Sequence, residues 1–175
     1  MPQTTITDRS TNTREVVLAL QALLVSQLAD LFTEETVVIT DPDSWDSGQT
    51  PENLIATSFI TLCPGDSDFP DDVQVGGGAN TVEELGTLEL YIFSDARLDQ
   101  TGVFPAAVYD PNEGLFELKR RVLRALCQAD PTGDNTKLLV SQLIPIRSCT
   151  KPTKNSSGVH FLRLVFGTSF FWDLS

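Results

Sequence analysis

Apolar residues recur along the chain with two periods. Val16, Val17, Leu20, Leu23, Leu24, Leu28, Leu31 and Phe32 return at helical spacing, which predicts an amphipathic helix from about Thr13 to Phe32. Asn12, with Glu15 three positions on, has the form of a capping box at its start. The period then shortens. The β-branched run from Thr36 to Thr40 and the segment from Thr57 to Cys63 read as two strands, the first stopped by Asp41-Pro42. From about Thr81 to Ser94, Leu88, Leu90 and Ile92 alternate with Thr87, Glu89, Tyr91 and Phe93, giving a third strand with one strongly apolar face.

Asp110-Pro111-Asn112-Glu113 offers an N-cap, a proline at the first helical position and a capping-box glutamate. The helix it predicts buries Leu115, Leu118, Val122, Leu126 and Ala129 and turns Lys119, Arg120 and Arg124 outward, before Asp130-Pro131-Thr132-Gly133 ends it. Leu138 to Arg147 is a further strand, in which Pro145 predicts an edge position or a bulge. In the last strand, Val159 to Trp172, the residues from His160 to Trp172 on one parity and from Val159 to Phe171 on the other are both mostly apolar. A strand needing cover on both sides belongs in the middle of a sheet, and Gly167 is where it would bend or bulge. The predicted order is α-β-β-β-α-β-β. This is an α+β fold with a largely antiparallel or mixed sheet and two helices packed on one face.

At 175 residues the chain is long enough to bury a core without disulfides or metal, and one domain over residues 12–175 is expected. Residues 1–11 read as a mobile polar segment, and long loops are expected at about 41–56, 63–81 and 95–110. Cys63, Cys127 and Cys149 are odd in number and widely spaced, which suggests neither a disulfide framework nor a zinc site. The sequence predicts no membrane span and no signal peptide.

The net charge of −12 argues against general adhesion to nucleic acid, which depends on Lys and Arg contacts to phosphate. Charge is also segregated. No Lys or Arg occurs between Arg14 and Arg97, a stretch holding Asp66, Asp68, Asp71 and Asp72, whereas Lys119, Arg120, Arg121 and Arg124 crowd the second predicted helix. One reading is a set of solvated loops and an ordinary helix face. The sharper one is an acidic side of one subunit meeting the basic side of its neighbour, the polarity a head-to-tail ring requires.

No catalytic constellation emerges. His160 is the only histidine, which leaves no multi-histidine metal set, and it falls in phase with the leucines of its strand, as a structural histidine would. Asp41 to Glu52 faintly resembles a calcium loop, but Trp45 and Asp46 stand where a ligand and the turn glycine belong. Gly76-Gly77-Gly78 leads into a strand rather than a helix, unlike a phosphate-binding loop. The expectation is a protein that is not an enzyme and needs no metal or other cofactor.

The segments EELGTLELYIFSDA, GLFELKRRVLRAL and HFLRLVFGTSFFW, in this order of elements, resemble the tail-terminator and tail-completion proteins of tailed bacteriophages. The similarity extends from about Asn12 to Leu174 and rests on pattern and size, while the 63–81 and 95–110 loops are longer than the family's. The resemblance implies a virion protein, made in the host cytoplasm, that forms a homohexameric ring capping the tail tube and joining it to the neck. Its implied partners are the tail tube protein, a neck or connector protein and, where one exists, a sheath; DNA passes through the channel without specific binding. Lys119, Arg120, Arg121, Arg124, Phe170, Phe171 and Trp172 are the expected subunit interface, and Asp66, Asp68, Asp71 and Asp72 the expected acidic partner or channel segment. Another neck or head-tail joining ring is the nearest alternative. A small carboxylate-only hydrolase and a monomeric peptide-binding module are the more distant ones.

Overall fold

The computed structural model describes residues 13–40, 57–69, 81–95, 98, 106–127, 144–148, 153–154 and 159–173. The expectations for residues 1–12, 41–56, 70–80, 99–105 and 128–143 lie outside the described residues, and with them Asp71 and Asp72. The chain is an α+β fold. In order come helix α1 (Thr13–Gln27), strands β1 (Val37–Ile39), β2 (Phe59–Asp68) and β3 (Thr81–Phe93), helices α2 (Ala106–Tyr109) and α3 (Leu115–Leu126), then β4 (Ile144–Ser148), β5 (Thr153–Lys154) and β6 (His160–Asp173).

One mixed sheet holds all six strands in the order β1-β2-β3-β6-β4, with β5 also paired to β6. Only β1 and β2 run parallel; the other pairings are antiparallel. The last strand is central, as its two apolar parities require. It ladders with β3 without a break from Thr81 opposite Asp173 to Phe93 opposite Phe161, so Gly167 opposite Thr87 introduces no bulge on that side. The irregularity falls instead across the strand, in β4 between Pro145 and Arg147, because proline has no N–H to give the ladder.

Both helices cover one face of this sheet. Val16, Val17, Leu20 and Leu24 of α1 and Leu115, Leu118, Val122 and Leu126 of α3 pack with Ile60, Leu62, Leu88, Leu90, Ile92, Leu162, Leu164 and Phe166 in one cluster. Burying each such side chain contributes about 1.5–3 kcal/mol relative to exposure. Helix α1 ends at Gln27 rather than Phe32, yet its apolar pattern still reaches the core. The Phe32 N–H donates to the Leu28 carbonyl at 2.9 Å, and this turn buries both side chains. Gln21 Nε2 donates to the Val37 carbonyl at 2.6 Å and ties α1 to the first strand.

Three local expectations are corrected. Asp110 does not cap α3: its Oδ1 accepts the N–H groups of Asn112 at 2.8 Å and Glu113 at 2.9 Å, forming a side-chain-closed turn that delays the helix to Leu115. Gly114 then stands at the N-cap without a side-chain bond. A Cβ there would meet Asp110 N at 2.5 Å and Asp110 O at 2.6 Å, so the turn needs a residue without one. The expected irregular segment after Cys63 begins as strand, since β2 continues to Asp68 by shifting register between Pro64 and Ser67. Within the expected 95–110 loop, residues 106–109 are helical.

Candidate functional site

The sheet face away from the helices carries its own structure. At one end Phe59 and Phe93 stack with ring centroids 4.2 Å apart, and Phe161 lies 5.4 Å from Phe93. Next along β3, Glu89 receives the Arg163 guanidinium through two hydrogen bonds, one from Nε at 2.8 Å, and the Tyr91 hydroxyl at 2.8 Å. Arg163 also lies 6.0 Å from the Tyr91 ring. Burial pushes the Glu89 carboxyl up, but the bonds from Arg163 and Tyr91 outweigh it and hold the group below the usual carboxylate range. Burial, and then the Glu89 carboxylate, raise the Tyr91 phenol. These contacts fasten β3 to β6.

Helix α3 positions the basic residues. Its inward stripe leaves Arg120, Arg121 and Arg124 on the outside, where they line a cleft of about 440 Å³ with Gln27, Leu28 and Asp30 at the end of α1. Arg121 donates to Asp30 at 2.6 Å and to Glu117 at 3.3 Å, and Arg120 donates through Nε to Glu117 at 2.7 Å. The Arg121 hydrogen bond holds the Asp30 carboxyl below its ordinary value, and the Arg120 hydrogen bond does the same for Glu117. Two of the expected interface residues are therefore committed within the chain, Arg121 as a tie from α3 to the turn after α1. Lys119 is half-buried and Arg124 exposed, and Arg124 makes no ion pair among the described residues.

The aromatic end of β6 divides. Phe170 is 1% exposed in the helix-side core, so it is not available to a neighbouring subunit. Its parity with Leu162, Leu164 and Phe166 takes it inward, and its ring lies over Gly86, where a Cβ would come within 2.3 Å of Cε2. Phe171 sits opposite Glu83 in register; its side chain lies outside the described set. Trp172 is 36% exposed and donates through Nε1 to Glu84 at 2.7 Å. Glu84 is itself buried and takes a second hydrogen bond from Ser67, so one carboxylate joins β2, β3 and β6 at this end of the sheet.

Asp66 and Asp68 are exposed near the end of β2, followed by Phe69 at 58% exposure. A second exposed apolar feature is Tyr109, at 59%, against Phe116, at 38%, with ring centroids 5.5 Å apart. Nothing in the sequence put Tyr109 beside Phe116. His160 begins β6, where its carbonyl accepts the Ser94 N–H at 3.2 Å. Among the described residues no three His, Cys, Asp or Glu side chains converge as metal donors, and no helix is long and apolar enough to cross a membrane. No protein-family model matches the chain, and no curated protein is significantly similar to it.

Proposed function

We propose that the chain is a structural virion protein of a bacteriophage tail, forming a homohexameric ring that terminates the tail tube and joins it to the neck around a channel for DNA. The observation that supports this reading is that the segments carrying the family resemblance are those that build the fold. EELGTLELYIFSDA contributes most of β3, HFLRLVFGTSFFW makes up most of β6, and GLFELKRRVLRAL supplies α3, and β3, β6 and α3 pack in one core. The charge of −12 suits a channel wall that repels passing DNA rather than holding it. Its partners on this reading are the tail tube protein, a neck or connector protein and, in contractile tails, the sheath.

Gold-labelled antibody raised against the purified chain tests the reading in particles of a phage that encodes it. Label at the junction of tail tube and neck is the expected result. Absence from the particle, or label confined to the head or the distal tail tip, overturns it.

A further inference from the structure

We infer that the exposed aromatic and basic face of α2 and α3 docks onto the acidic end of β2 in a second copy of this chain. Tyr109 and Phe116 form an apolar ledge beside a helix on which Phe116, Arg120 and Arg124 follow one another at four-residue spacing, and so share one stripe. Arg120 is turned to Glu117, which leaves Arg124 as the stripe's cation without an ion pair among the described residues. The end of β2 has the complementary chemistry: Asp66 and Asp68 are exposed, with the exposed ring of Phe69 next to them. Aromatic and arginine side chains are the residues that dominate protein interfaces, and an aspartate facing Arg124 while Phe69 meets the ledge satisfies both.

The contact joins unlike patches on different elements. Each copy that binds through α3 still presents its own β2 end, and a heterologous contact of this kind builds a ring where its rotation closes and an open filament where it does not. The inference rests on the ring reading for its biological setting but not for its physics, which needs only the two patches.

Sedimentation velocity over a range of concentrations tests it, on the full chain and on three variants: Arg124→Glu, Asp66→Arg with Asp68→Arg, and all three changes together. All three positions are exposed, and unchanged circular dichroism melts verify folding. The wild type is expected to self-associate, each separate variant to do so up to about tenfold more weakly, as loss of the Arg124 ion pair together with the like-charge repulsion that the reversal introduces gives, and the combined variant to regain part of the loss. Phe69→Ala should weaken association without altering its salt dependence. Association of wild-type strength in every variant overturns this contact and leaves the tail-ring reading standing. A chain monomeric at all concentrations also overturns the contact. Association through these patches with no label at the tail–neck junction overturns the tail reading alone.

Discussion

Leu90 and Glu89 are neighbours in β3 and face opposite sides of the same sheet. Leu90 is buried under the helices between Leu62 and Leu164, its register partners on either side. Glu89, between Cys63 and Val165, is held by Arg163 and Tyr91. One face is closed by apolar packing alone, which is indifferent to pH, and the other by stacked rings together with an ion pair, which is not indifferent to it. A central strand pair can thus satisfy both of its faces with different physics while using a single register.

Cutting into each face should separate them. Leu90→Ala is expected to have the largest effect, about 2–5 kcal/mol of stability, because it removes packed methyl groups and leaves a cavity. Urea midpoints measure this, and the pH dependence of stability should keep the wild-type slope. Glu89→Gln should cost less, about 1–3 kcal/mol, by leaving the half-buried Arg163 without its carboxylate. Its signature is the slope. Because the folded carboxyl is held below its ordinary value, the unfolded chain takes up the proton first as pH falls. The stabilisation is therefore whole above the unfolded value of about 4.3 and is lost as pH drops through the folded value. Glu89→Gln should flatten that acid limb; a limb of unchanged steepness would assign it to Asp30 and Glu117, whose carboxyls are lowered as well. The smallest effect belongs to Arg121→Ala. This solvent-exposed tie from α3 to the turn after α1 contributes less than either contact above, and the small drop in melting temperature should vanish at high salt.

The helix-side face was legible in the sequence because alternation assigns parity. Leu88, Leu90 and Ile92, and Leu162, Leu164 and Phe166, reach the core as their spacing requires. The same parity marks Phe170 as inward, and only its place among aromatic residues near the end of the strand suggested a contact surface. The opposite face was legible only as apolar or not, since pairing Glu89 with Arg163 or Arg121 with Asp30 depends on the register of elements far apart in the chain. Local signals failed where two structures share one signature. Asp110 followed by Pro111 and Glu113 suits a helix cap and a side-chain-closed turn alike, and the close approach at Gly114 decides for the turn. Pro64-Gly65 usually ends a strand, but a bulge lets β2 pass through it. The candidate contact surfaces were visible as charge, while their aromatic halves, Phe69 and the Tyr109–Phe116 pair, emerged only with burial.

The central position of β6 also bears on how the molecule is made. β6 leaves the ribosome after every other described element, yet it supplies the middle of the sheet. Until it arrives, β3 has an unsatisfied hydrogen-bonding edge along its whole length, and α3 lacks half of the surface on which it rests. Completion of the sheet therefore waits for β6, and an intermediate that lacks it exposes the long unpaired edge of β3. Such an edge is a template for pairing with other chains, so the order of the strands makes β3 the adhesive element of any intermediate without β6.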